Sequence, residues 1–284
     1  MPYQAELRGM YTVTLAEFAA LAAASILVGF SKTAVSGANT VSLAIFAAVL
    51  PARESTGVLL PLLIVGDVLA VRTYRRHAHW GTLWRLFPAV AAGVVVGTVF
   101  LLWAGDAAVR TSIGAILLLM AGVTLWRRRT AARADTPAAP TAPTAPAVPT
   151  APAAPVVPTA PDTDGAGARL KAGSYGVLGG FTTMVANAGG PVMSLYLLSA
   201  GFRKLGFLGT SAWFFLIVNV AKVPFSVGLG LIDGRSLLLD ALLALFVVPG
   251  AFIGKACVDR INQKLFERLV IAATVLGGLQ LLLR

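Results

Sequence analysis

Nine apolar runs recur along this 284-residue chain, at 15–30, 41–50, 55–71, 86–103, 107–126, 174–186, 207–232, 236–254 and 265–283. Several approach the roughly 20 residues that a helix needs to cross the hydrocarbon core of a bilayer. Charged residues make up 12% of the chain and the mean hydropathy is +0.81, whereas a soluble domain carries roughly 25% charged residues. Lipid offers the backbone no hydrogen-bond partners, so spans of this kind must be helical. The fold class is an all-α polytopic membrane protein.

The formal net charge of +11 does not indicate nucleic acid. The basic residues are scattered between spans, not gathered on one folded face, and polytopic proteins accumulate Lys and Arg in cytoplasmic loops. Glu17 interrupts the first apolar run and Arg8 is the only positive side chain before it, so no cleaved signal peptide is expected. The single Cys257 has no intramolecular disulfide partner.

From Pro137 to Pro161 every third residue is proline, filled in with Ala, Thr and Val. Such a segment forms an extended rod with no internal hydrogen bonds, which lipid does not tolerate. It divides the chain into an N-terminal segment 1–14, a first transmembrane repeat 15–129, a Pro/Ala/Thr-rich linker 130–169 and a second repeat 170–284. The two halves resemble each other. GFSKTAVSGANT (29–40) aligns without gaps on GFTTMVANAGGP (180–191), and STGVLLPLLIVGD (55–67) on FLGTSAWFFLIVN (207–219), which sets Asp67 opposite Asn219. Further on, Gly93-x3-Gly97 corresponds to Gly250-x3-Gly254, small-residue spacing that lets two membrane helices approach closely.

Each half holds one broken segment and three further spans. If the broken segment enters and returns as a hairpin, each half crosses three times and the second half is inverted. Sixteen of the 23 Lys and Arg residues then fall on one side, five on the other, and Lys32 and Lys222 within the membrane. If it crosses once, the split is 13 against 8. The positive-inside rule favours the hairpins, inverted repeats and a cytoplasmic linker.

The breaks are the first candidates for chemistry. A helix that begins at membrane depth presents unpaired N–H groups and a positive dipole end to an anion. In the second half Gly189, Gly190 and Pro191 suit such a start, with Thr182, Thr183 and Asn187 as side-chain donors. Ser31, Lys32, Thr33, Ser36 and Asn39 are their counterparts in the first. The alternative is that these polar groups only bind helix to helix. Asp67, Lys32, Lys222 and Asp240 are costly in lipid and need partners or water. Asp67 and Lys222 fall on corresponding helices and are candidates for an ion pair, either structural or serving anion attraction and proton coupling. Asn219 and Lys222 share a helical face. Asp240 and Glu17 lie nearer helix ends and read as interfacial. His77 and His79 have no Cys or carboxylate at ligand spacing, so no metal site is expected. Neither histidine lies in a span and no G-x-S-x-G is present, so no enzymatic activity is expected.

GFSKTAVSGANT, PARESTGVLLPLLIVGDVLAVRTYRRHAHW, TTMVANAGGPVMSLYLL and GTSAWFFLIVNVAKVPF, in this order, resemble the TauE/SafE family of sulfite exporters, also called TSUP permeases. The resemblance covers both halves, all but the first dozen residues and the linker. It implies a bacterial inner-membrane protein of two inverted repeats, each a broken hairpin segment plus three transmembrane helices, that moves sulfite, sulfonates or related anions. The family's glycine-rich repeat openings correspond to Gly29 through Asn39 and Gly179 through Pro191. The first is poorer in glycine here, with Ala34, Val35 and Ala38, and the proline insert is peculiar to this chain. The expected function is a permease for a small anion, with no cofactor, bound at Ser31, Lys32, Thr33, Ser36, Asn39, Thr182, Thr183, Asn187, Gly189, Gly190, Asn219 and Lys222. The expected partners are that anion and lipid, and a homo-oligomer is compatible with this. The alternatives are an anion channel and a membrane scaffold recruiting a partner through the proline rod.

Overall fold

A computed structural model describes residues 13–34, 38–134, 166–202, 204–257, 271–272, 275–276 and 278–283. The first dozen residues, the proline rod and part of the last apolar run lie outside these. In chain order the helices are α1 Leu15–Thr33, α2 Asn39–Val49, α3 Ala52–Tyr74, α4 Trp80–Trp103, α5 Asp106–Ala134, α6 Ala166–Ala186, α7 Gly189–Ser199, α8 Lys204–Gly228 and α9 Gly234–Cys257. A 3-10 turn, Arg75–His77, extends α3, and no strand occurs among the described residues.

Six of the helices are long and apolar enough to cross a membrane: Leu15–Thr33, Ala52–His77, Trp80–Trp103, Asp106–Trp126, Leu205–Gly228 and Ser236–Cys257. Their outward faces are apolar as well. Val95, Val96, Val99 and Leu102 of α4 and Leu242, Leu245, Phe252 and Ile253 of α9 are all exposed, as a lipid-facing surface requires. Local chemistry marks where helices start. Thr14 and Glu17 form a reciprocal capping box before α1, and the His79 ring accepts the Thr82 N–H at the head of α4. At the head of α3, the Arg53 N–H donates to Asp106 and its guanidinium to the Ala104 carbonyl, tying α3 to the start of α5.

Both broken segments fold back on themselves. The Ser42 hydroxyl donates to the Ala24 carbonyl and the Asn39 N–H to the Ser31 hydroxyl, so partners advance along α2 as they retreat along α1. Tyr175 meets Tyr196 and Gly189 packs on Thr183, which gives α6 and α7 the same antiparallel relation. The returning arms have 11 residues each, about 16 Å of helix, half of a bilayer core.

The halves interlock through glycine. α1 packs along α9 and α4 along α6, the two most extensive helix contacts. A Cβ on Gly29 would land on the Val247 carbonyl, and one on Gly250 on that of Ile26. In the other pair, a Cβ on Gly180 would land on the Val90 carbonyl, and one on Gly93 on that of Val177. Without side chains there, backbones meet directly. The two contacts correspond residue for residue in the register that aligns the halves: 29 with 180, 26 with 177, 90 with 247, 93 with 250. Between these layers α3 and α8 cross the centre. Gly209 packs against Tyr74 and His77, Asn219 bonds Asp67, and Gly57 packs against Leu231, so α3 and α8 run antiparallel.

Candidate functional site

The first hairpin turns at the C-terminal end of α1, where Lys32 reaches across to α3. Its ammonium lies 2.6 Å from Asp67 Oδ1, and Asn219 on α8 donates to Asp67 Oδ2 at 2.7 Å. The carboxylate is 0% exposed, so a cation and an amide together replace the water it has lost. Gly66 makes the approach possible, since a Cβ there would sit 2.9 Å from Lys32 Cγ. Phe215 lies under the ammonium at 4.6 Å from its ring centroid, a cation–π contact that stabilises charge without neutralising it. Behind this cluster the Thr33 hydroxyl donates to the Ala251 carbonyl of α9, and the Tyr74 hydroxyl to the Thr33 carbonyl.

The sequence-level pairing of Asp67 with Lys222 does not form. Asp67 takes Lys32, and Lys222 turns to the second hairpin. Its ammonium donates to the Thr183 carbonyl at 2.6 Å and to Asn187 Oδ1 at 2.7 Å. The physical reason is the end of α6. The end of a helix carries its negative pole, and the Thr183 carbonyl, which accepts the Asn187 N–H with one lone pair, offers the other to a buried ammonium 1% exposed.

The second break lies at Asn187–Ala188, one residue before the glycines. Asn187 adopts φ 51, its N–H donates to the Thr183 carbonyl and the Ala188 N–H returns to the Thr182 carbonyl, a left-handed helix end in which asparagine is a tolerated substitute for glycine. Asn187 also donates to the Thr56 carbonyl of α3 at 2.8 Å, so one amide ties the tip to α3 and α8 at once. Gly189, Gly190 and Pro191 form the first turn of α7, where the N–H that proline lacks would have no helical partner. Asn187→Gly should lose both side-chain bonds but keep the turn. Asn187→Ala should lose them and also strain the turn, costing about 1 kcal/mol more. Thermal unfolding of the two variants in detergent measures the difference, and equal stabilities would contradict the strained turn.

A cavity lies between the two tips. Ser31, Lys32, Asn39, Thr183, Asn187, Gly190 and Asn219 line it together with Asp67. Thr33 and Thr182 turn away, Thr33 to α9 and Thr182 to the Leu178 carbonyl of its own helix. Gly189 packs on Thr183, and Lys222 sits behind Thr183 and Asn187. Ser36 falls outside the described residues. Ser211 and Phe215 complete the wall and were not singled out from the sequence. They precede Asn219 by eight and four residues, a helical spacing that could have found them. Asp240, near the start of α9, is buried, and neither of its oxygens has a hydrogen-bond partner among the described groups.

The arrangement favours negative charge. Two ammonium groups and one carboxylate gather around the cavity, a formal excess of +1 in a setting with little water to screen it. The starts of α2, at Asn39, and of α7, near Gly190, face the same space and add the positive ends of two helix dipoles. The family model for the sulfite exporter TauE/SafE matches residues 21–281, from α1 to the last described turn. No curated protein and no solved structure matches the chain.

Proposed function

The chain belongs to the sulfite exporter TauE/SafE family and is a multi-pass membrane protein of the transporter type, and from that premise we propose that it is a secondary permease carrying sulfite or an organosulfonate. The observation that carries this reading is the formal excess of positive charge around the cavity, from Lys32 on its wall and Lys222 behind it, against Asp67. An anion entering the cavity meets the Lys32 ammonium and the positive dipole ends of α2 and α7, with Ser31, Asn39, Thr183 and Asn187 around it. Lys222 holds the second tip in place and adds its field from behind.

The hypothesised transport step is a rocking of two inverted repeats about the cavity. Its support is geometric. The corresponding helices α3 and α8 run antiparallel, as a two-fold axis in the membrane plane requires. Asp67 touches Asn219, its own counterpart, as residues near such an axis do. The family likeness implies a bacterial inner membrane, and the excess of Lys and Arg on one side favours a cytoplasmic linker.

Proteoliposomes loaded with labelled sulfite test the reading. Efflux should exceed that of protein-free vesicles, saturate with sulfite, and be inhibited by alkanesulfonates more strongly than by carboxylates of the same charge. Efflux equal to that of protein-free vesicles would overturn the permease, and equal inhibition by carboxylates would overturn the sulfur-anion preference.

A further inference from the structure

We propose that Asp67 is the proton-coupling site of this permease, taking up a proton each time the transported anion draws Lys32 away from it; the inference rests on the transport reading above. Lys32 belongs to two places at once. Its ammonium is the cation of a fully buried carboxylate, and it is also the charged donor on the cavity wall where an anion arrives. Lys222 cannot take over either task without releasing Thr183 and Asn187. One ammonium therefore faces two anions.

A carboxylate stranded without a cation in a low-dielectric interior is strongly unfavourable. Binding a proton removes that cost, and the ion-pair geometry is ready for it. Among the described residues the charged groups that act on Asp67 are Lys32 from α1 and Lys222 from α8, with the neutral amide of Asn219 beside them. α9 presents apolar Val247 at this level, against Gly66.

Asn219 supplies the second, independent observation. Its amide donates to Asp67 Oδ2, while its own Oδ1 is buried with no hydrogen-bond partner among the described groups. A buried acceptor without a donor is unfavourable. Rotation of the amide by half a turn would present Oδ1 to Asp67, and a protonated carboxyl group has the O–H that this acceptor lacks. Asparagine thus serves both protonation states of its neighbour, donating to one and accepting from the other. In the empty site Lys32 pairs with the ionised Asp67. In the loaded site Lys32 pairs with the substrate, and Asp67, now neutral, donates to Asn219. The proton enters from water on the side to which the cavity is open and leaves with the anion on the other.

The test measures labelled sulfite flux and internal pH together in proteoliposomes of wild type and Asp67→Asn. Sulfite carried as bisulfite brings a proton of its own in either protein, so the difference between them reads Asp67. The wild type should move about one more proton per sulfur than D67N. Identical ratios would overturn the coupling while leaving the permease intact, whereas absence of sulfite flux in the wild type would overturn the permease itself. A second measurement needs no active variant. Infrared difference spectra of the wild type with and without sulfite should show the carbonyl stretch of a newly protonated carboxyl group, and D67N should lack it. No such band in the wild type, or its persistence in D67N, would overturn the assignment.

Discussion

Lys32→Ala is expected to reduce sulfite flux by about 30-fold or more. Truncating one member of a buried, hydrogen-bonded charge contact costs roughly 2–5 kcal/mol, and each 1.4 kcal/mol is a factor of ten. The same substitution strands Asp67 and should lower stability, because removing one partner of a buried pair leaves an uncompensated charge. The two effects separate in a double variant. Lys32→Ala with Asp67→Asn removes both charges, so thermal stability in detergent should recover while sulfite flux stays low. If flux recovers together with stability, Lys32 serves only to neutralise Asp67 and does not meet the anion.

The second large effect belongs to the glycine contacts. Gly29→Leu, Gly93→Leu, Gly180→Leu and Gly250→Leu each drive a side chain into the facing backbone of another helix, at Val247, Val177, Val90 and Ile26 respectively. Backbone in a packed helix has no rotamer with which to yield, so the cost should reach or exceed the roughly 1–3 kcal/mol usual for overpacking. Gly122→Ala and Gly173→Ala are the controls. Both positions are helical with nothing within 4 Å of a new Cβ, and alanine there should be neutral or stabilising by up to about 1 kcal/mol. Folded yield and unfolding temperature in detergent distinguish the two groups. Correspondence of the contacts further predicts similar losses at 29 and 180, and at 93 and 250.

Much of the fold was legible because lipid imposes so few solutions. Runs of apolar residues near bilayer length become helices, and polar interruptions inside them become breaks. Pro191 within the first turn of α7 is a local signal that needs nothing beyond its neighbours. The spacing Gly93-x3-Gly97 and Gly250-x3-Gly254 marked close packing, although not which helices would meet. That the first meets α6 and the second α1 depends on how the halves interlock.

The site was legible as a set of residues and illegible as a set of pairs. Ser31, Lys32, Asn39, Thr183, Asn187, Gly190 and Asn219 are polar residues at breaks or within spans, and all line one cavity. Thr33 and Thr182 carry the same signal and turn elsewhere, because a hydroxyl one position along a helix points about 100° away. Lys222 and Asp67 attract each other in any one-dimensional reading of charge. In the folded chain the open end of α6 competes for Lys222, and a helix end is not a charge that a sequence displays.

The sequence by itself determined that this chain is helical and membrane-spanning, where its helices break, and which side chains are too polar for lipid to leave alone. Each of those follows from the transfer of single residues or short segments out of water. The tertiary structure decided which lysine answers Asp67, which glycines meet which backbones, and that both hairpin tips border one cavity. These are contacts between segments as far as 224 residues apart, as at Ile26 and Gly250, set by the simultaneous packing of several helices.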